Sequence, residues 1–127
     1  MLATRSAGKL RELRPLFRDA GIDVIDLVEA GIAESPVEDS IEAHATFEEN
    51  ALAKAGYFYG LCGGLDVVAD DSGLSVDALD GAPGVRSKRW SGVLGSPHEI
   101  DAANNAKLVG SLAGAPTRRA RFVCAAA

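Results

Sequence analysis

The chain has 127 residues, of which 47% are hydrophobic and 24% are charged, and its formal net charge is −5. These values suit one compact α/β domain over residues 1–127 and exclude a disordered or fibrous chain. No apolar run approaches the ~20 residues of a membrane-spanning helix, and the first ten residues hold too short an apolar run for a secretory signal. We therefore expect a cytoplasmic protein without a membrane partner.

Charge is unevenly distributed along the chain. Residues 1–18 carry five basic side chains and one acidic side chain. Residues 19–85 carry one basic and fifteen acidic side chains, and residues 86–127 carry seven basic and two acidic side chains. Such segments are most simply solvated surface, but they also suit a site where basic groups hold a polyanion and acidic groups hold a cation. Because duplex-binding proteins are more often basic overall, nucleic acid is not an expected partner.

The first predicted helix follows a polar loop at residues 4–9, TRSAGK. Apolar residues at 10, 13, 16, 17 and 20 recur with a helical period, Gly21 suits the helix end, and Pro15 predicts a bend. The loop amides and Lys9 could hold phosphate at the helix N-terminus, although the P-loop pattern is absent. Residues 22–29 then predict a short strand, and residues 30–45 an irregular acidic loop.

The clearest predicted helix begins after Thr46 and runs to about Gly60. Thr46 and Glu49 have the spacing of a capping box, in which each side chain satisfies an amide at the helix end. The residues that share one face of this helix are Phe47, Ala51, Lys54 and Phe58. A lysine on such an apolar face either lies along it with its ammonium in water or binds phosphate, and spacing alone leaves both open.

Two adjacent carboxylates, Asp70 and Asp71, follow residues 64–69, which predict a buried strand. An Asp pair at a strand end is often a turn that caps local amides. The carboxyl ends of strands are also where α/β folds bind ligands, and a divalent cation offsets repulsion between clustered carboxylates. The pair alone decides neither interpretation. Residues 74–79 alternate in polarity and predict a second strand.

The remaining segments predict a turn at residues 80–84, a helix after Ser96, and a strand within residues 118–127. Ser96, Pro97 and Glu99 occupy the positions of a helix cap, a first helical residue and a capping-box partner.

The cysteines and histidines carry no predicted chemistry. Cys62 and Cys124 are far apart in a sequence without an export signal, which predicts two reduced thiols in the core rather than a disulfide. His44 and His98 lack the Cys/His spacing of a zinc site and are expected in loops or on the surface.

Four segments together carry a family resemblance. They read LATRSAGKLREL, TFEENALAKA, ADDSGLSVDALDGAPGVRSKRWSG and ARFVC, in this order. At these separations they resemble the inosine triphosphate pyrophosphatase family over nearly the whole chain. The resemblance implies an ITPase-like (Maf/Ham1-type) α/β fold, a mixed sheet with flanking helices, of which the chain covers the N-terminal two-thirds or so. It also implies a homodimer that uses Mg²⁺ to hydrolyse ITP, dITP and XTP to the monophosphate and pyrophosphate.

The resemblance also implies roles for particular residues. The triphosphate loop would comprise Thr4, Arg5, Ser6, Ala7, Gly8 and Lys9. Lys54 would contact phosphate and Ser72 would contact substrate. Glu42 and Asp71 would hold Mg²⁺, and Asp71 would also act as the general base. Ser6 stands where the family usually has asparagine, and the family's purine-recognition segments are absent from these 127 residues.

Two alternative functions stay open at this point. One is a nucleotide- or metal-binding protein without catalysis, which an assay with ITP and Mg²⁺ would distinguish. The other is a Maf-like pyrophosphatase of modified pyrimidine nucleotides, against which the stretches TFEENA and GAPGVRS argue.

Overall fold

A computed structural model describes all residues, 1–127. Its longer helices are α1 (Ala7–Asp19), α3 (Phe47–Leu61) and α4 (Pro97–Ser111), and its strands are β1 (Asp70–Val76) and β2 (Ala120–Ala126). A four-residue helix, α2 (Glu38–Ile41), and two 3₁₀ segments, Asp77–Leu79 and Gly84–Arg89, complete the elements. None of these helices has both the length and the apolar content of a membrane span.

The chain packs as two compact units. Residues 1–71 with 125–127 form the first unit, and residues 72–124 form the second. The organisation of residues 1–127 as one domain stays a prediction.

Helix α1 begins and ends close to the predicted residues. Ser6 caps it, because the Ser6 hydroxyl accepts a hydrogen bond from the Lys9 amide at 3.3 Å. Gly21 follows the helix with a φ of 75°, a left-handed conformation that glycine adopts without steric cost. Pro15 lies inside the helix, and the bend there stays a prediction.

The core of the first unit forms around the beginning of the chain. Its buried members are Ala3, Leu27, Phe58 and Ala69. Leu2, which is 1% exposed, forms parallel bridges to Asp26 and to Val68. The first residues therefore lie between two segments that are distant in sequence.

These bridges correct two predicted strands. Residues 22–29 and 64–69 form no strand, because each segment contributes only one isolated bridge. Leu65, expected in a buried strand, is 45% exposed. An apolar run becomes a strand only where a neighbour pairs along its length, and local composition does not reveal that neighbour.

Strand β1 contains both aspartates, which corrects the prediction that they follow a strand. Ala69 and Ala127 exchange two backbone hydrogen bonds of 2.9 Å, and the Asp77 amide donates to the Arg119 carbonyl at 3.0 Å. This register makes the two-stranded sheet of β1 and β2 antiparallel. Of the strand predicted at residues 74–79, only the first three residues belong to β1. Strand β2 confirms the last predicted strand.

The two capped helices confirm their predicted starts. The Thr46 hydroxyl accepts from the Glu49 amide at 3.2 Å, which is the first of the two bonds of a capping box. At Ser96 both bonds of the box are present. On the predicted face of α3, Ala51 and Phe58 are buried and Lys54 is half-buried.

The cysteines and histidines lie nearer the surface than the core. Cys62 is half-buried and Cys124 is exposed, so their predicted core positions are wrong, although both are thiols. His44 and His98 are exposed, as expected.

Candidate active site

The loop before α1 is organised by its own side chains. The Thr4 hydroxyl accepts from the Ser6 amide at 3.2 Å, and the Ser6 hydroxyl accepts from the Lys9 amide. Ala7 and Gly8 form the first turn of α1, whose amides lack partners within the helix and lie at the positive end of its dipole. The predicted loop thus presents a helix N-terminus, which is favourable for an anion.

The contacts of the Arg5 side chain hold it away from a role in anion binding. Its guanidinium donates to both carboxylate oxygens of Glu38, at 2.8 and 3.1 Å, and to the carbonyls of Ile32 and Ala33, each at 3.0 Å. The hydrogen bond with Glu38 raises the pKa of Arg5 and lowers the pKa of Glu38. These contacts engage four of the five N–H donors of the guanidinium, so in this arrangement the backbone of Arg5 is better placed than its side chain for the predicted substrate contact.

Two lysines meet at the first residue of β1. The Lys9 ammonium contacts Asp70 Oδ2 at 2.6 Å. The Lys54 ammonium donates to the Asp70 carbonyl at 2.7 Å and is paired with Glu42 Oε1. Lys9 and Lys54 thereby meet at Asp70, and Glu42 joins them through Lys54, although these residues come from distant parts of the chain.

The two aspartates are almost buried, at 9% and 8% exposure, which would be unfavourable without polar partners. Asp70 has the ammonium of Lys9, whereas Asp71 Oδ2 accepts from the side-chain amide of Asn50 at 2.9 Å. Successive side chains of a strand point to opposite faces, so adjacent carboxylates reach different partners. Because both aspartates lie in β1, the interpretation as a turn that caps local amides is wrong.

The sequence interpretation missed Asn50, which is 1% exposed. Its signal was its spacing: Asn50 precedes Lys54 by four residues in α3, so the two side chains share a helix face. Asn50 makes a second hydrogen bond, in which its Oδ1 accepts from the backbone amide of His44 at 2.9 Å.

Carboxylate oxygens are the donors that this site offers to Mg²⁺. The structure contains no group of three or more His, Cys, Asp or Glu side chains placed to hold a metal ion. Protein-bound Mg²⁺ commonly takes one or two carboxylates and completes its shell with substrate phosphates and water. The oxygen donors of Glu42 and Asp71 fit that requirement, and their role as ligands stays a prediction.

Ser72 follows Asp71 in β1 and is half-buried. It belongs to the second unit, and its substrate contact stays a prediction.

The first unit therefore combines a helix N-terminus and two ammonium groups with clustered carboxylates. Ammonium groups and helix N-termini bind phosphate, and carboxylates bind divalent cations. These features define a class of site that can hold a polyphosphate together with a cation, on a mixed α/β fold.

Comparison with known sequences identifies the family. A profile of the Ham1 family matches residues 1–127. The chain is 50% identical over 130 residues to a dITP/XTP pyrophosphatase of Nocardia farcinica, an alignment covering 100% of this chain and 60% of that protein. It is 48% identical over 124 residues to a dITP/XTP pyrophosphatase of Ralstonia nicotianae, an alignment covering 98% of this chain and 58% of that protein.

Solved structures agree with this match. A HAM1 protein from Coxiella burnetii is similar with a TM-score of 0.77 and 35% identity, over 98% of this chain and 59% of that one. A nucleoside-triphosphatase / dITP/XTP pyrophosphatase from Mycobacterium abscessus is similar with a TM-score of 0.73 and 42% identity, over 98% of this chain and 62% of that one.

The chain belongs to the Ham1 family. Both the resemblance deduced from its motifs and the α/β fold class are confirmed. The chain spans about three fifths of the length of the curated relatives it matches.

Proposed function

We propose that the protein hydrolyses noncanonical purine nucleoside triphosphates, namely ITP, dITP and XTP, to the monophosphate and pyrophosphate. The observation that carries this proposal is the convergence of Lys9 and Lys54 on Asp70, next to Asp71, with Glu42 paired to Lys54. The choice of substrate is supported by the relatives that are named dITP/XTP pyrophosphatases.

In this proposal Lys9 and Lys54 bind the triphosphate. Each ammonium already contacts a carboxylate, so substrate phosphate oxygens exchange with Asp70 Oδ2 and Glu42 Oε1 as partners. The exchange replaces one charge-assisted contact with another, so neither ammonium is left without a counter-charge. The first amides of α1, at Ala7 and Gly8, add donors at the positive end of the helix dipole.

Asp71 acts as the general base in the same proposal. Its carboxylate accepts a proton from a water molecule while the water oxygen attacks the α-phosphorus. The bond from the α-phosphorus to the bridging oxygen then breaks, and the charge that develops on pyrophosphate is stabilised by Lys9 and Lys54. When bound by Glu42 and Asp71, Mg²⁺ would supply neutralisation of charge on the phosphate oxygens. Ser72, adjacent to Asp71, contacts the substrate.

The working form that we propose is a cytoplasmic homodimer that uses Mg²⁺. This form is supported by the family resemblance. Light scattering of the purified whole protein would measure its mass, and a monomer at micromolar concentration would contradict the dimer.

The test of the activity is pyrophosphate release from ITP, dITP, XTP, GTP and ATP in the presence of Mg²⁺. For the whole protein we expect kcat/KM for ITP to exceed that for ATP by at least ~10²-fold, a lower bound beside the ~10⁴- to 10⁵-fold by which a hydrogen-bonding site rejects a base that leaves its polar groups unpaired. Release of inorganic phosphate alone would contradict the proposed bond cleavage. Binding without turnover would favour the noncatalytic alternative, and preference for a modified pyrimidine would favour the Maf-like one.

A further inference from the structure

Asn50 connects two segments that carry predicted metal ligands. From its buried position in α3, its Nδ2 donates to Asp71 Oδ2 at 2.9 Å and its Oδ1 accepts from the His44 amide at 2.9 Å. His44 lies two residues after Glu42 in the segment that precedes α3. A single side-chain amide thus holds Asp71 on β1 and the chain next to Glu42.

We propose that Asn50 is a positioning residue, which orients the Asp71 carboxylate and fixes the Glu42 segment so that both carboxylates can serve one divalent cation. An asparagine amide has distinct donor and acceptor ends. Its donor therefore engages Oδ2 of Asp71 and restrains rotation of that carboxylate, while its acceptor restrains the backbone at His44.

Burial makes this restraint effective. Asn50 is 1% exposed and Asp71 is 8% exposed, so water has little access to replace the bond between them. Hydrogen bonds in such surroundings are stronger than in water, and buried polar groups that lose a partner are destabilised. Partners that orient a metal-binding carboxylate typically contribute 10- to 100-fold in metal affinity or activity, which sets the effect expected here at about that size.

A purely structural role is the rival explanation, and Asn104 provides the matched control. Its Oδ1 accepts from the Ser91 amide at 2.7 Å and its Nδ2 donates to the Lys88 carbonyl at 3.0 Å. Asn104 thus makes the same two kinds of bond from a helix, but both partners are backbone groups. Loss of Asn104 should lower stability without an effect on a cation site.

The first measurement is Mn²⁺ binding by calorimetry to the whole protein without nucleotide. We expect Asn50→Leu to weaken Mn²⁺ binding by at least ~10-fold, and Asn104→Leu to change it by less than about twofold. If Asn50→Leu fails to fold, Asn50→Ser keeps a polar group that is too short to reach both partners, and the same loss is expected. Unchanged affinity in the folded Asn50 variant, or no Mn²⁺ binding by the wild type, would overturn the proposal.

The second measurement is steady-state hydrolysis of ITP, and its use rests on the proposed function. We expect Asn50→Leu to lower kcat by ~10- to 100-fold and to leave KM within about threefold, because Lys9 and Lys54 rather than Asn50 contact the triphosphate. In an Asp71→Asn background the same change should lower kcat by less than about threefold, because the carboxylate that Asn50 orients is already lost and the position of Glu42 then matters little without its partner ligand.

The outcomes separate the two proposals. Equal losses of kcat in both backgrounds, or a lower melting temperature with unchanged kcat, would overturn the positioning role of Asn50. A protein that hydrolyses no nucleoside triphosphate but binds Mn²⁺ in an Asn50-dependent manner would reject the proposed function and retain the positioning role.

Discussion

Two glutamates four residues apart, Glu38 and Glu42, each pair with a cation, but the two pairs differ in construction. Arg5 gives Glu38 two hydrogen bonds and uses two further donors on two backbone carbonyls. Lys54 pairs with Glu42 through one ammonium, which it shares with the carbonyl of Asp70. The first pair has several directional bonds, and the second has one point charge between two acceptors.

The number of directional bonds distinguishes a structural ion pair from a binding group. A planar guanidinium with four of its five N–H donors engaged holds chain segments together and loses several bonds at once if it moves. An ammonium exchanges one acceptor for another with little change in geometry. We therefore propose that Arg5 stabilises the fold and that Lys54 binds the substrate.

The largest effect is expected at Asp71, the proposed general base. Asp71→Asn keeps the side-chain shape but removes the charge and the proton acceptor, so kcat for ITP should fall by at least ~10²-fold. The control is Asp77→Asn, because Asp77 is more exposed and its contact with Arg119 is 3.8 Å long. Turnover of the Asp71 variant near the wild-type level would remove Asp71 from the mechanism.

The next effect concerns Lys54. Lys54→Met keeps an apolar stem on the face of α3 but removes the ammonium, so substrate binding should weaken by ~1–3 kcal/mol, the contribution of a hydrogen bond to a charged group. The measurement is KM for ITP beside the melting temperature, with the exposed Lys88→Met as control. Unchanged kinetics together with a lower melting temperature would make Lys54 a structural lysine.

Arg5 should show the opposite pattern. Arg5→Lys keeps the charge but cannot reproduce the planar fork, so the free energy of unfolding should fall by ~1–3 kcal/mol while KM for ITP stays within about twofold. Urea unfolding beside ITP kinetics measures both, and Arg18→Lys in the exposed last turn of α1 is the control. A raised KM with unchanged stability would return the Arg5 side chain to the substrate site.

The smallest effect is the pH dependence of the same pair. The hydrogen bond from Arg5 lowers the pKa of Glu38, so the unfolded chain binds a proton at a higher pH than the folded chain. The resulting stability is present above the unfolded pKa, about 4.3 for glutamate, and is lost as the pH falls through the folded value. The stability difference between wild type and Arg5→Met should therefore shrink from pH 7 to pH 3, as measured by urea unfolding. A difference that does not change with pH would show that the pair contributes no ionic stability.

The sequence was sufficient for features that depend on neighbouring residues. The helical period of α1 and the capping residues Thr46 and Ser96 predicted three helices, because caps and amphipathic faces are set within a few residues. Strand pairing depends on partners that are far away in the chain. The segments that contain Asp26 and Val68 therefore looked like strands but contribute only single bridges to Leu2.

The contacts of the candidate site also depend on residues that are far apart in the chain. Local patterns indicated Lys9, Lys54 and Asp71 as candidates, and the resemblance added Glu42. No local pattern showed that Lys9 would contact Asp70 or that Arg5 would contact Glu38. Asn50 was overlooked because asparagine within a helix is usually a solvated residue, and only its contact with a residue 21 positions later reveals its importance.

The placement of Asn50 and Lys54 on one helix also limits how this sequence can change in evolution. Each residue inserted into an α-helix turns everything beyond it by about 100° and moves it by about 1.5 Å. One insertion between Asn50 and Lys54 would therefore place their side chains on different faces, although every residue type were preserved. Substitutions can accumulate on the exposed side of α3 near Leu52 and Tyr59, whereas changes of length are better tolerated after the helix, at Gly63 and Gly64.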